Sequence, residues 1–414
     1  MNWATDKIDL VKKALLTKWK RIRRSLRETA ETIYLYLPYQ KVPENRNLVA
    51  VWTAPRITNN VGDRALTEGS INLIPDSNCL LIARDGQEYA DSLAKVFTFP
   101  QTSEAGRFID FVKIIKQFKK QIGSCSAVLI VGADIMDGKY GDRTSVLRWN
   151  LAKWLANQKV KVQLFSMSWN TSPTSAAKQA ALSASKNGVT TFSRDELSVR
   201  RLRDLGVKAE FAADVSFLRS NYVEPNDEVQ AWFNRPTKKV LVNVSDWVTD
   251  DPTMFTGLIS ALSSLGDDYE ILYVPMVHYG ANTDTVACTK LANEVTGWVL
   301  PNLPTPSELR WMAERSEFSI SARMHCCLIG FAAGLPSVGL EYQGKFEGAF
   351  KVFGLERFAI KPEEFSAKFL PAFDEIVATN AELRANILQQ LPDVTASARV
   401  PVDLALASIK GITD

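Results

Sequence analysis

Histidine is scarce in this chain: His278 and His325 are the two in 414 residues. That excludes a metal centre or proton relay built from several imidazoles. The five cysteines (Cys79, Cys125, Cys288, Cys326 and Cys327) are odd in number and form no Cys-x-x-Cys pair. Neither a thiolate zinc site nor a disulfide framework is therefore expected, and a reducing, cytoplasmic setting fits best. No set of acidic, histidine and cysteine residues has metal-ligand spacing, so neither a metal nor a cofactor is expected. No apolar run approaches the ~20 residues that span a bilayer. The start lacks an uninterrupted apolar core and a small-residue cleavage site, so no signal peptide is expected. A net charge of +3 is too small to imply nucleic acid as a partner. Internal repeats and low-complexity tracts are missing as well.

What is present describes an ordinary globular chain, long enough for two cores, with 46% hydrophobic and 23% charged residues. One segment stands apart. Between Asp6 and Arg27, the residues Ile8, Val11, Leu15, Trp19, Ile22 and Leu26 recur at helical spacing, and nine Lys or Arg residues fill much of the rest. Such a basic amphipathic helix suits the anionic inner face of a membrane. It equally suits packing on the main body or on a second subunit.

From Leu48 an α/β rhythm begins. Strands are expected at Asn47–Thr53, Cys79–Ala83, Ala127–Val131, Val160–Met167 and Thr190–Phe192. The helices between them are expected at Asp63–Ile74, Phe108–Gln121, Ser145–Asn157, Ser175–Asn187 and Arg194–Leu205. Arg219–Lys239 loses the apolar pattern and reads in part as a connection. A second series follows, with strands at Val240–Val244, Glu270–Val277, Phe318–Ile320 and Ser337–Leu340, and helices including Thr253–Leu265, Asp284–Val295, Pro306–Arg315 and His325–Ala333. Helices at Gly348–Phe353, Ser366–Ala378 and Ala381–Gln390 close the chain. Alternation of this kind predicts parallel sheets covered on both faces. The expected division is an extension over 1–40, a domain over 41–220, a linker over 221–239, a second domain over 240–380 and a helical tail over 381–414.

The densest chemistry lies at Ser321-Ala322-Arg323-Met324-His325, between an apolar strand and an apolar helix. Arg323 and His325 fall at the helix mouth, where unpaired N–H groups and the helix dipole favour an anion. Lys345, after the next strand, joins them if the two strands are parallel neighbours. Together these groups suit a phosphorylated substrate. The plainer alternatives are a surface ion pair for Arg323 and a helix-capping role for His325.

Ser321-x-Arg323-x-His325, a helix, Gly334-Leu335-Pro336, a strand and Tyr342-x-x-Lys345 resemble the C-terminal signature of the polysaccharide pyruvyl transferases. Asn60-Val61-Gly62-Asp63 is similar to that family's N-terminal motif. Ser193-Arg194-Asp195-x-x-Ser198 with Leu202, Gly206 and Ala213-Asp214-Val215-Ser216-Phe217 is similar to its central one. The resemblance implies a GT-B-like fold: two Rossmann-like domains facing a cleft, acceptor side first and donor side second. It implies transfer of the pyruvyl group of phosphoenolpyruvate, the donor substrate, onto two hydroxyls of a saccharide or lipid-linked saccharide. His325 is then the general acid/base, with Arg323, the Met324 backbone, Arg194, Lys345 and Ser321 as donor ligands. Asn60 and Gly62 are implied on the acceptor side, with Asp63 either deprotonating a hydroxyl or only capping its helix; Asp134, in a loop that departs from the family's pattern, either binds acceptor hydroxyls or only closes a turn. Arg194 has an alternative reading as a helix-start arginine paired with Asp195 or Glu196, and His278 reads as a surface loop residue, with an approach to the site from its opposite wall as the alternative. After Val131 the chain reads Gly132-Ala133-Asp134-Ile135-Met136-Asp137-Gly138, where the family often has consecutive glycines. A nucleotide-sugar glycosyltransferase and a noncatalytic anion-binding membrane-surface protein remain the alternatives.

Overall fold

A computed structural model of the chain describes residues 30, 47–54, 57–84, 89, 93, 95–99, 108–123, 125–218, 223–279, 282–341 and 344–409. The basic segment Asp6–Arg27 lies outside the described residues, as do Tyr342 and Gln343 of the last motif.

The first sheet is seven-stranded and parallel throughout. It is built from β1 (Leu48–Trp52), β2 (Cys79–Ala83), β3 (Lys95–Thr98), β4 (Cys125–Ala133), β5 (Lys161–Met167), β6 (Thr190–Ser193) and β7 (Ala209–Phe211), in the order β3-β2-β1-β4-β5-β6-β7. Its helices are α1 (Val61–Ile71), α2 (Phe108–Ile122), α3 (Asp142–Asn157), α4 (Ser175–Lys186) and α5 (Glu196–Asp204). The unbroken apolar strands are explained by burial on both faces. On β1, Leu48, Ala50 and Trp52 join one core with Phe118, Trp149 and Leu155 of the covering helices, while Val49 and Val51 join another on the opposite face.

The second sheet follows the same plan. After α6 (Asp227–Phe233) come β8 (Lys238–Asn243), α7 (Asp246–Thr249), α8 (Pro252–Ser263), β9 (Tyr269–Tyr273) and a small hairpin of β10 (His278–Tyr279) and β11 (Asn282–Thr283). Next are α9 (Asp284–Ala292), β12 (Trp298–Val299), α10 (Pro306–Glu314), β13 (Phe318–Ser321), α11 (Met324–Ala332), β14 (Ser337–Leu340), α12 (Phe346–Lys351) and β15 (Ala359–Ile360). The order is β12-β9-β8-β13-β14-β15, all parallel. Both sheets therefore reverse direction once: between β1 and β4, and between β8 and β13. In doubly wound sheets the crevice beyond the strand ends at that reversal is where ligands bind.

Several boundaries differ from expectation. The segment 221–239 is not a plain connection: it holds α6, capped by the Asn226 side chain, and the start of β8. The short strands β3, β7 and β15 were not expected; β3 is at a sheet edge with Lys95 and Thr98 exposed, so it carries little apolar pattern. The helix expected to begin with Asp63 begins at Val61, because Asn60 takes the cap: its Oδ1 accepts from Gly62 N at 2.9 Å and Asp63 N at 3.2 Å. Asp63 stands instead in the first turn, where a negative charge complements the dipole.

The final helix, α13 (Phe365–Leu406), departs from helical geometry at Thr379, between the two helices expected there, and continues past the expected end at Gln390. Its first part packs on α8 and β13, and its later part reaches β4, β5 and the turn at Val215–Phe217 of the first half. The Ser397 Oγ accepts from Ala213 N at 3.0 Å. Val394, Ala398, Val402 and Ala405 belong to one buried cluster with Val131 and Phe165.

Candidate functional site

The crevices at the two reversal points meet across a seam. Backbone pairing stitches it: Asn60 forms an antiparallel bridge with Val277, Val61 N donates to Met276 O at 3.0 Å, and His278 N donates to Asn59 O at 3.0 Å. The mouth of α1 is thereby fixed against the second half. His278 itself is exposed on the hairpin.

His325 is the second residue of α11 and points across that seam. The Gly62 backbone lies against its ring so closely that an added Cβ would stand 2.5 Å from Nδ1 and 2.7 Å from Cγ. On the other edge, Nε2 is 3.4 Å from Arg194 Nη1 and 3.8 Å from Asp214 Oδ2. At 3.8 Å the contact with Asp214 is electrostatic rather than a hydrogen bond. The three motif segments of the sequence thus converge on one imidazole.

Arg194 and Asp214 form the floor. Arg194 Nη1 donates to Asp214 Oδ2 at 2.8 Å, and Nε donates to Ser168 Oγ at 2.9 Å, with the two side chains 3% and 2% exposed. Burial alone would raise the Asp214 carboxyl, but His325 and Arg194 outweigh it and hold the group well below its ordinary range. Asp214 also accepts from Ser216 N at 2.9 Å, which caps the turn at Val215–Phe217. Arg194 does not pair with Asp195, which caps α5 by accepting from Ser198 N at 2.6 Å.

Arg323 occupies the cap position of α11 with extended backbone. Its Nη2 donates to Asp284 Oδ1 at 2.7 Å, and Nε lies within 3.3 Å of both carboxylate oxygens. Asp284 is buried and also accepts from Asn243 Nδ2 and Met276 N, both at 3.1 Å. Ser321 is fully buried; its Oγ accepts from Arg323 N at 3.0 Å and lies 3.1 Å from Asn243 Oδ1. Ser321 and Met324 are both buried, so Ser321 shapes the Arg323 turn from below. The Arg323 side chain remains 26% exposed at the mouth.

Lys345 follows β14, the parallel neighbour of β13, as the sequence reading required. It forms an ion pair with Asp134, from the loop after β4. The two residues assigned to opposite substrates are therefore joined across the seam. Burial pushes the Lys345 ammonium down, opposed by Asp134; burial pushes the Asp134 carboxyl up, and Lys345, with help from Arg194 and Tyr140, overrides it. Ala133 (φ 46°) and Ser166 (φ 47°) hold left-handed backbone at the ends of β4 and β5. Such strained turns in non-glycine residues cluster at functional strand ends. Asp63, partly buried in α1, lies within electrostatic range of the buried Arg148, whose Nη1 and Nη2 donate to Val131 O and Thr53 O at 3.2 and 2.7 Å. Burial lowers Arg148 to about 10.

Sequence reasoning gave no role to Asp214, Asp284, Asn243 or Ser168. Asp214 stood in a quoted motif, and its neighbours Ala213 and Val215 already signalled burial; a buried aspartate needs a cation. Among the described residues, no group of three or more His, Cys, Asp or Glu is arranged to hold a metal ion, and no helix is long and apolar enough to cross a membrane.

The family model for polysaccharide pyruvyl transferase matches residues 9–344. No curated protein matches the chain. Among solved structures, the UDP-GlcNAc 2-epimerase of Neisseria meningitidis bound to UDP-GlcNAc superposes with a TM-score of 0.58 at 9% identity, covering 87% of this chain and 99% of that one. The UDP-GlcNAc 2-epimerase of Methanocaldococcus jannaschii gives 0.56 at 11% identity, covering 86% and 98%. UGT2 of Phytolacca americana, complexed with UDP-2-fluoro-glucose and pterostilbene, gives 0.53 at 8% identity, covering 87% and 99%. At such identities the likeness speaks for the fold, which is GT-B.

Proposed function

The chain belongs to the polysaccharide pyruvyl transferase family, and on that premise we propose that it moves the pyruvyl group of phosphoenolpyruvate onto two hydroxyls of a saccharide, forming a cyclic ketal and releasing phosphate. The observation that carries this reading is His325, held between Gly62 on one edge and the Arg194–Asp214 pair on the other. One imidazole at a cationic helix mouth on the seam of two halves fits a reaction that needs both proton transfer and anion binding.

The bonds balance as follows. C2 of the donor gains two C–O bonds to sugar oxygens and loses both its bond to the phosphate oxygen and its π bond to C3, whose electron pair takes up the proton. Of the two hydroxyl protons, one ends on C3, which becomes a methyl, and one leaves with phosphate. His325 carries a proton in one of these transfers. The α11 mouth, with Arg323 clamped by Asp284, holds an anionic end of the donor. Arg194 acts mainly by fixing Asp214 and His325, since its guanidinium is already engaged below the ring. To the acceptor side we assign the carboxylates of Asp63 and Asp134. The segment Asp6–Arg27 we assign to the membrane face, where a lipid-linked acceptor would be met.

Phosphate release from phosphoenolpyruvate that depends on added sugar tests the reaction. Thermal shift by phosphoenolpyruvate, with none by UDP-sugars, is the expected binding result; the reverse pattern favours a nucleotide-sugar glycosyltransferase on the same fold.

A further inference from the structure

Asp284 is the first residue of α9 and is 1% exposed. An aspartate in the first turn of a helix complements the dipole without leaving solvent. Burying that carboxylate is unfavourable unless charge and hydrogen bonds compensate it. At Asp284 the compensating contacts run in two directions.

The first direction leads to the donor side. Oδ1 accepts from Arg323 Nη2 at 2.7 Å, and both oxygens lie within 3.3 Å of Arg323 Nε. Asn243, which ends β8, steadies the carboxylate: its Nδ2 donates to Asp284 Oδ2 at 3.1 Å and to Val274 O at 2.9 Å. The Asn243 backbone oxygen accepts from Ala322 N at 3.0 Å, in the turn that leads to Arg323.

The second direction leads to α1. Asp284 Oδ2 also accepts from Met276 N at 3.1 Å, and Asp284 N donates to Val277 O at 3.0 Å. These two bonds close the base of the β10–β11 hairpin. The far side of the same segment is the seam, where Met276 O accepts from Val61 N at 3.0 Å and Val277 pairs with Asn60. Met276 alone separates the carboxylate from the mouth of α1. The next residue of that mouth, Gly62, lies against the His325 ring. The contacts therefore run from Arg323 through Asp284, Met276 and Val61 to Gly62, and return to α11 at His325.

We propose that Asp284 is a positioning residue for both walls of the site: it aims the Arg323 guanidinium at the donor and sets the register of the α1 mouth against the His325 ring. The inference rests on the reading of the site given above, and adds that donor binding and proton transfer share one support. Buried as it is, the carboxylate acts through its neighbours and does not touch substrate. A change at Arg323 alone strikes donor binding, and a change at Gly62 alone strikes turnover; a change at Asp284 strikes both. Asparagine at this position keeps the size but offers one acceptor oxygen where aspartate uses two, and its NH₂ group then faces another donor.

The test uses the full-length protein and Asp284→Asn. With phosphoenolpyruvate varied at fixed sugar, the donor KM is expected to rise about tenfold through loss of a charge-assisted contact, and kcat to fall about tenfold through displacement of His325. Combined with Arg323→Lys, the donor KM is expected to rise little beyond that of either variant alone, because both remove the same contact. The chain has two histidines, so imidazole ¹H–¹⁵N spectra of the ligand-free protein read His325 directly, and His278→Gln tells the two signals apart. The His325 signal is expected to move in Asp284→Asn and to move far less in Arg323→Lys, which leaves the contact with Met276 in place. If wild type turns over while kcat and the His325 signal of Asp284→Asn are unchanged, the two-wall role is overturned and Asp284 is only the partner of Arg323. If the signal moves but no sugar supports phosphate release in wild type, the positioning role stands and the reaction falls. Should Asp284→Asn fail to fold, Asn243→Ala takes its place, since it removes a donor to the same oxygen. The same directions of change are then expected, and an unchanged kcat and His325 signal overturn the inference.

Discussion

Gly62 and His325 touch across the seam between the two sheets, with room for a hydrogen and nothing larger on the glycine. Gly62 adopts ordinary helical backbone, so the requirement is close approach and not an unusual φ. In Gly62→Ala the methyl would displace the ring at Nδ1, Cγ and Cβ together. Displacements of about 1 Å at a reacting group cost roughly 10²-fold in rate. We expect kcat for sugar-dependent phosphate release to fall by about that factor while circular dichroism spectra stay unchanged.

His325→Gln removes the proton carrier but keeps a polar side chain. Turnover is expected to fall about 10²–10⁴-fold, the usual range for a lost acid/base. The thermal shift produced by phosphoenolpyruvate should survive. Wild-type turnover in this variant would refute the role given to the imidazole.

Arg323→Lys keeps the charge but loses the fork that grips Asp284 at two points. The KM for phosphoenolpyruvate is expected to rise about tenfold through loss of a charge-assisted contact. Steady-state kinetics with the donor varied at fixed sugar measures this directly. An unchanged donor KM would remove Arg323 from the donor site.

Asp214→Asn tests the floor. Removing one partner of a buried ion pair leaves the other uncompensated and costs about 3–5 kcal/mol. The folded-state carboxyl lies below its ordinary value of 3.8, so its contribution is complete above that value and is lost as pH falls through the lowered folded one. The gap in melting temperature between wild type and variant should hold steady from about pH 5 to 8 and narrow below about pH 4. A gap independent of pH throughout would show that the carboxylate charge contributes nothing.

Lys345→Met and Asp134→Asn, singly and together, read the link across the seam. Their melting-temperature losses should be non-additive, with a coupling of about 0.5–3 kcal/mol for a contacting pair. Additive losses would mean that the pair does not bind the halves together.

Much of this arrangement was legible from residue order. The alternation of apolar runs and helical periods gave the central strands because those strands are buried on both faces. Edge strands such as β3 and the two-residue β15 carry too few inward residues to register. Helix α6 was hidden in a polar stretch, although Asn226, Val229, Trp232 and Phe233 mark its cap and inward stripe. The motif residues converge on the seam, yet their pairings were not readable. Lys345 with Asp134 spans 211 positions, and Arg323 with Asp284 spans 39. Those partners are set by tertiary packing, which no local period encodes.

The route of α13 has a consequence for biogenesis. A nascent chain emerging from the ribosome completes its first β-sheet long before residues 394–405 are synthesised, yet those residues cover part of that sheet. The amino-terminal half must wait, with an apolar face uncovered, until residues 394–405 have been made. A chain stopped before residue 394 would thus leave part of the first sheet bare, far from the cut in sequence.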